Sequence, residues 1–369
     1  MARFHPLRVA AVDRLTDDSV TLTFDVPPAL REEYRFAPGQ HLAIRRFADG
    51  TEIRRTYSIC SPAPHPDASD EPRTLRVGVR LVEDGAFSTY AFKELAIGDE
   101  LEVMTPAGRF TLEPAPGRYA AVVGGSGITP VLSIVTTLLE REPLADFCLI
   151  RSDRTAASTM FLEEVADLKD RWPDRFQLVT VLSREEQQAG LDSGRLDEER
   201  LTRLLPALLP VAEVDGWFLC GPFGLVQGAE RTLRALGVPR GRIHEEIFHV
   251  DGGVATTAQA PTPTPAPAPA PAPTATVSDS TVTATLDGRS GTWPVLDGET
   301  LLETVLRNRA DAPYACKGGV CGTCRAFRVS GEVRMDRNFA LEPEETEAGY
   351  VLACQSRPVT ATVELDFDR

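Results

Sequence analysis

No apolar run in this 369-residue chain approaches the ~20 residues that a membrane-spanning helix requires. The N-terminus, MARFHPLRVA, carries no apolar core of the kind a secretory signal needs. The expected location is therefore cytoplasmic, with no membrane partner. In that reducing compartment clustered thiols serve as metal ligands or catalytic groups more often than as disulfides. The odd count of seven cysteines also argues against a purely disulfide framework. A basic excess is missing as well: the net charge is −15, and nucleic-acid binding needs a basic footprint. The five histidines, His5, His41, His65, His244 and His249, show no metal-ligand pairing and read as structural or surface groups. Nothing in the chain resembles an acyl-CoA site or a diiron site.

What is present fits two or three domains. Hydrophobic residues at 42% and charged residues at 25% are ordinary for a globular protein. Residues 1–115 read as an all-β domain, because alternating segments such as VTLTFDV, QHLAIRR, TLRVGVRLV and ELEVMTP recur between Gly, Pro and Asp turns. That spacing suggests an antiparallel β-barrel.

Residues 116–250 change pattern. Strands YAAVVGG, FCLIRS, FQLVTVLS and GWFLCG alternate with helical segments, and RIHEEIF closes the series. Thr129 is the candidate N-cap of the first helix, with Pro130 at its first position. Phe161, Leu162, Val165 and Leu168 are expected on one face of the second, and Gly237 after the last. This alternation implies an α/β domain with a parallel sheet of about five strands.

Residues 251–279 form a linker. Its tract PTPTPAPAPAPAP, Pro261 to Pro273, lacks the amide donors that helix or sheet requires. As polyproline II it would span roughly 40 Å. Residues 280–369 form a further α+β module of β-grasp type. It opens on the hairpin TVTATLDGRSGTWPV, with Asp287-Gly288 in its turn region, and continues with the helix TLLETVLRNR.

CKGGVCGTC follows that helix. Cys316, Cys321 and Cys324 have the spacing C-x4-C-x2-C, and Cys354 stands further on in VLACQSRP. This is plant-type [2Fe–2S] spacing: two irons need four thiolates, three from one loop and the fourth from a distant element. Gly318, Gly319 and Gly322 let the backbone turn tightly and aim amides at the sulfides. The competing zinc site usually shows two separate C-x2-4-C knuckles, whereas only one Cys-x2-Cys occurs here. Cys60 and Cys148 read as inert buried thiols, while Cys220 ends a parallel strand just before GPFG. The acidic run Glu342, Glu344, Glu345 and Glu347 reads as a solvated face.

GGSGITP, from Gly124, joins the first parallel strand to its helix, where glycines let a pyrophosphate approach the helix N-terminus. It has proline where the usual fingerprint has its last glycine. In order, RTYS, GAFS, GGSGITP, CGP and EIF resemble the ferredoxin–NADP reductase superfamily. With a plant-type ferredoxin module at the C-terminus, the chain resembles a three-domain oxygenase reductase. FHPLRVAAV, YRFAPGQHL, PYACKGGVCGTC and LEPEETEAGYVLACQ are most similar to reductases of the ring-1,2-phenylacetyl-CoA epoxidase family.

The resemblance implies FAD on the barrel, a nicotinamide dinucleotide on the parallel sheet and the [2Fe–2S] cluster on the last domain. Arg55 would pair with the flavin pyrophosphate, Tyr57 would stack on the ring, and Ser58 would hydrogen-bond near N5. Ser88, heading a helix, would contact phosphate together with the amides of Gly85, Ala86 and Phe87. Gly125, Ser126, Gly127 and Thr129 belong to the nucleotide turn, with Thr129 reaching toward the flavin. Cys220, Gly221, Pro222 and Glu246 would lie near the nicotinamide, and Phe248 would cover the flavin face. Ser58, Cys220, Glu246 and Phe248 are thus the candidate catalytic residues. Ser183, Arg184 and Arg154 resemble the group that grips the 2′-phosphate of NADPH, although Asp153 as a ribose ligand keeps NADH open. The implied path is nicotinamide, FAD, [2Fe–2S] cluster, then a separate oxygenase acting on phenylacetyl-CoA in phenylacetate degradation. The alternative partner is an aromatic-ring or steroid hydroxylase.

Overall fold

The computed structural model describes residues 3–48, 50–65, 71–185, 194–249, 277–309, 312–314, 316–341 and 343–369. The Pro–Ala tract and Glu342 lie outside the described residues. The chain divides into two units, Ala2–Asp251 and Gly252–Arg369.

The first unit begins with β1 (Phe4–Thr16), β2 (Ser19–Asp25), β3 (His41–Ala48), β4 (Thr51–Ser58), β5 (Thr74–Arg80), α1 (Ala86–Lys93) and β6 (Glu100–Met104). These six strands form an antiparallel sheet in the order β4-β3-β6-β1-β2-β5. An Ile59–Val77 bridge and the Cys60 N–H bond to the Arg76 carbonyl, at 2.9 Å, join its ends into a barrel. Closure satisfies the edges that an open sheet would leave. Period-two alternation turns Leu75, Val77 and Val79 inward, where they meet Leu7, Leu22, Phe24, Leu42 and Ile44.

A parallel sheet follows, built from β7 (Gly117–Gly124), α2 (Ile128–Arg141), β8 (Ala145–Asp153), α3 (Leu162–Arg171), β9 (Phe176–Leu182), α4 (Glu198–Leu208), β10 (Gly216–Pro222), α5 (Phe223–Ala235) and β11 (Ile243–His249). Its order, β11-β10-β7-β8-β9, reverses direction between β7 and β10. In open α/β sheets the crevice outside the strand carboxyl ends at such a reversal is where ligands bind.

Three local expectations need correction. Helix α2 starts at Ile128 with Gly127 as its cap, because a 3-10 turn over Gly125–Gly127 runs straight into it. The Thr129 hydroxyl donates instead to the Ser126 carbonyl at 3.0 Å. Phe161 is buried as the left-handed cap of α3, φ 55°, which turns Leu162 outward to 47% exposure. Helix α4, capped by the Asp197 side chain, was not foreseen. At the end of α5, Gly237 adopts φ +87° and donates its N–H to the Arg234 carbonyl, as the sequence led one to expect.

The second unit contains β12 (Val277–Leu286), β13 (Arg289–Leu296), α6 (Leu301–Asn308), β14 (Arg325–Ser330), β15 (Val333–Met335), α7 (Pro343–Glu347), β16 (Tyr350–Leu352), β17 (Ser356–Pro358) and β18 (Thr362–Asp366). Its main sheet has the order β13-β12-β18-β14-β16, with β12 and β18 parallel. Asp287 and Gly288, at φ 53° and 68°, make the tight hairpin turn. Helix α6 starts on a Thr300–Glu303 capping box and buries Leu301, Leu302 and Val305 against the sheet. On α7, Glu345 pairs with Arg325 at 3.2 Å, so this part of the acidic run is not simply solvated.

Candidate functional site: a domain seam and a four-thiol loop

Strands β10 and β11 pair so that Cys220 stands beside Glu246 in register. The same Cys220 pairs with Val123 at the end of β7, which puts it at the reversal point of the sheet. The Glu246 carboxylate leaves this sheet and meets the barrel. Its Oε2 accepts from the Ser58 hydroxyl at 3.3 Å, and its Oε1 lies 3.8 Å from His41 Nδ1. Burial, only partly offset by the Ser58 bond, pushes the Glu246 carboxyl up to about 7. Burial lowers His41 to about 4, keeping the imidazole neutral. The Cys220 thiol is raised well above its ordinary value by burial and by the Glu246 charge. Phe248 packs against the apolar layer that contains Cys220. Ser58, Cys220 and Glu246 are therefore gathered in one region, and Phe248 follows Glu246 by two residues on the same strand.

Sequence reading missed His41 here. The available signal was register: His41 and Ser58 are direct cross-strand partners in β3 and β4, so their side chains share a face.

The glycine turn is tightly fitted to the neighbouring strand. A Cβ on Gly127 would lie 2.2 Å from the Cys220 carbonyl oxygen, and one on Gly221 would lie 2.8 Å from that of Gly124. Gly125 adopts φ +53°, and the Arg80 guanidinium lies 3.1 Å from where its Cβ would be. Arg80 is a further residue the sequence did not flag, and it is cationic. It is held in a fork by Asp18, at 3.0 and 3.1 Å, and donates to the Ser158 carbonyl at 3.0 Å.

On β4, Arg55 and Tyr57 share one face and Ser58 takes the other, because side chains alternate along a strand. Tyr57 packs on Phe87 at 5.4 Å between ring centroids, and Arg46 lies over Tyr90 at 3.6 Å. The Arg55 guanidinium donates to the Arg54 carbonyl at 2.8 Å. Ser88 does not head its helix. Helix α1 starts at Ala86 after Gly85, and the Ser88 hydroxyl turns inward to accept from the Val82 N–H and donate to the Gly85 carbonyl. Only the amides at the start of α1 remain suited to a phosphate.

Beyond the ends of β8 and β9 lies an open cavity of about 320 Å³ walled by Asp17, Asp18, Arg154, Thr155, Ser158 and Arg184. The Arg184 and Ser183 amides donate to the Arg154 and Asp153 carbonyls, so the two loops run side by side. Arg154 is already paired with Asp18 at 2.7 Å. Asp153 is not among the residues that wall this cavity, and it is buried with one carboxylate oxygen on Arg151 at 2.8 Å.

In the second unit the three loop thiols and Cys354, from the turn Ala353–Gln355, fall into two pairs. Cys316 is drawn down to about 6 by the Cys321 thiol and by the amides of Gly318, Val320 and Cys321. Cys354 is lowered by the Cys324 thiol, by Gln355 and by the Gly319 amide. Their partners Cys321 and Cys324 are raised correspondingly. The Gly318 N–H points at Cys316 Sγ at 3.3 Å, and Thr323 bonds Cys321 at 3.2 Å. Among the described residues no three His, Cys, Asp or Glu side chains converge as ligands of a single ion would. Two thiol pairs amid inward-facing amides suit a two-iron cluster better than one tetrahedral zinc. Gly319 is needed in this loop: it adopts φ +78°, and a Cβ there would meet Gln355 at 3.0 Å.

Three family models match the chain in succession: an oxidoreductase FAD-binding domain over residues 6–112, an oxidoreductase NAD-binding domain over 122–231, and a 2Fe-2S iron-sulfur cluster binding domain over 284–359. Fold and site together define a flavin- and nicotinamide-dependent reductase that carries its own [2Fe–2S] domain. The chain is 42% identical over 372 residues to one of the subunits of 1,2-phenylacetyl-CoA epoxidase from Escherichia coli (strain K12), covering 100% of this chain and 99% of that protein. It is 34% identical to the ferredoxin reductase component of 3-ketosteroid-9-alpha-monooxygenase from Rhodococcus rhodochrous, covering 98% and 96%. Phthalate dioxygenase reductase shares the fold, with a TM-score of 0.58 at 23% identity over 98% of each chain. The chain belongs to the family of oxygenase reductase components that includes the first two of these relatives. Among the described residues no helix is long and apolar enough to cross a membrane.

Proposed function

We propose that this reductase takes its electrons from NADPH and delivers them to an oxygenase that epoxidises phenylacetyl-CoA. The observation that carries the partner assignment is the 42% identity to the epoxidase component along the full chain, against 34% to the steroid monooxygenase component. The cavity that Arg154 and Arg184 both line supports NADPH, since guanidinium groups suit a 2′-phosphate.

The residues present fit the implied cofactors. Tyr57 against Phe87 offers an aromatic platform for FAD, with Arg55 two residues away on the same face and the Gly85–Phe87 amides suited to its phosphates. Gly127 and Gly221 let the nucleotide turn and the end of β10 pack backbone against backbone, which sets the turn at the point where the sheet reverses. Cys316 with Cys321, and Cys324 with Cys354, would each hold one iron. Bound FAD and the cluster supply the conversion of a two-electron hydride into single electrons.

The protein's own residues do the rest. Ser58 and Cys220 border the place where nicotinamide and flavin would meet, and Glu246 fixes the Ser58 hydroxyl there. Phe248, two residues beyond Glu246 on β11 and packed on the apolar core, would keep water from that contact. The neighbouring thiols, Cys321 for Cys316 and Cys324 for Cys354, together with nearby amides, shift both sulfurs toward the thiolate form. The test is NADPH-dependent epoxidation of phenylacetyl-CoA with the cognate oxygenase components. Turnover with these components, and none with a steroid oxygenase, supports the reading; the reverse pattern rejects it.

A further inference from the structure

We propose that His41 is a positioning residue that fixes the Glu246 carboxylate against Ser58 across the seam between barrel and parallel sheet. His41 and Ser58 are cross-strand partners, so both project from the barrel on one face of that seam. Ser58 bonds Oε2 of the carboxylate at 3.3 Å, and His41 Nδ1 faces its other oxygen, Oε1, at 3.8 Å. The carboxylate is thus bonded at one oxygen and flanked at the other by a second strand of the barrel.

A structural core histidine satisfies both ring nitrogens. Here Nε2 is buried without a hydrogen-bond partner, while Nδ1 faces Glu246. The surroundings keep the ring in place. His41 and Ala107 exchange backbone hydrogen bonds in both directions, at 2.8 and 3.0 Å. Gly108 then adopts φ +115°, and a Cβ there would come within 2.8 Å of His41 Nδ1. Only glycine at 108 leaves room for the imidazole. The 3.8 Å separation exceeds a hydrogen bond, as catalytic contacts often do before substrate binds.

A neutral imidazole suits both states of its partner, donating to the ionised carboxylate or accepting from the protonated one. The groups facing Glu246 are the Ser58 hydroxyl from β4, His41 from β3 and the Cys220 thiol from β10. The turn over Gly125–Gly127 presents glycine and serine only.

This inference rests on the reading that Ser58 and Glu246 border the nicotinamide–flavin contact. The experiment is rapid-mixing reduction of the FAD-loaded full chain by NADPH across roughly pH 5 to 9. His41→Phe, His41→Asn, Glu246→Gln and the Phe/Gln double variant are compared with the parent, with FAD content and melting temperature recorded for each. His41→Phe is expected to slow reduction about tenfold and to move the Glu246-linked step of the pH profile upward. His41→Asn, whose amide stands at the same distance from the backbone as Nδ1, is expected to restore both. The double variant should be no slower than Glu246→Gln alone. An unchanged rate and profile in His41→Phe, or strictly additive losses in the double variant, overturns the proposal while leaving the site reading intact. An unaffected Glu246→Gln overturns the site reading and the proposal together. If His41→Phe loses FAD, His41→Asn decides: a parental profile supports the role, and a slowed or displaced one rejects it.

Discussion

The two units use the same side chain in opposite ways. In the reductase unit, Cys60 and Cys148 sit against apolar strands, and burial pushes both thiols up to about 12. In the cluster unit, Cys354 is as buried as Cys148 and yet is lowered, and Cys316 is drawn down to about 6. The difference is what surrounds the sulfur. Burial removes water, and the bond that the Cys60 thiol does make is one it donates, to the Arg76 carbonyl, so the neutral thiol is favoured. In the cluster unit a neighbouring thiol and nearby amides stand in for water and shift the balance toward the thiolate. Burial alone therefore does not decide whether a cysteine is inert. Cys220 lies between the extremes in place though not in direction: it is buried and raised, yet it stands where the sheet reverses, beside a carboxylate.

Substitution breaks this comparison most sharply in the loop. Cys324→Ser is expected to abolish the cluster, read as loss of iron and of its visible absorption, while FAD content and NADPH-driven flavin reduction remain. Loss of flavin reduction as well would contradict the separateness of the two units.

At the seam, Glu246→Gln is expected to slow flavin reduction about a hundredfold, measured by rapid mixing. The same variant tests the effect of burial through stability. The folded-state value of Glu246 is raised from 4.5 to about 7, so its contribution is fully present below 4.5 and lost as pH rises through 7. His41 runs the other way: lowered from 6.5 to about 4, its contribution is present above 6.5 and lost as pH falls through 4. Glu246→Gln removes only the first trend. Its melting temperature should therefore gain on the parent between pH 4.5 and 7, and a constant offset would contradict the shift.

A smaller effect is expected in the cavity. Arg184→Ala should lower the preference for NADPH over NADH about tenfold, read as the ratio of kcat/KM values. An unchanged ratio would leave Arg154, already held by Asp18, as the alternative. The smallest effect belongs to the apolar thiols. Cys148→Ala should cost about 1–2 kcal/mol of stability and leave iron and flavin content unchanged.

Much of this was legible in the sequence because it depends on spacing. Four cysteines at plant-type intervals, strands alternating with helices and the glycine turn are local patterns, and each has its place in the fold. Contacts between distant segments were not legible. His41 looked like one structural histidine among five, because its partner Glu246 is 205 residues away and only the domain seam brings them together. Arg80 went unflagged for the same reason, since Asp18 and Ser158 reach it from other segments of the chain. Ser88 erred by local geometry: the helix begins two residues before it, so its hydroxyl closes the preceding turn instead of facing a phosphate.

The most direct test of the account is the cofactor inventory of the purified full-length protein, taken with its visible spectrum before and after addition of NADPH. The account predicts one FAD and two irons with acid-labile sulfide per chain, no stoichiometric zinc, and bleaching of both flavin and cluster absorption by NADPH. A colourless protein containing zinc, or a flavoprotein in which Cys316, Cys321, Cys324 and Cys354 hold no iron, would contradict it.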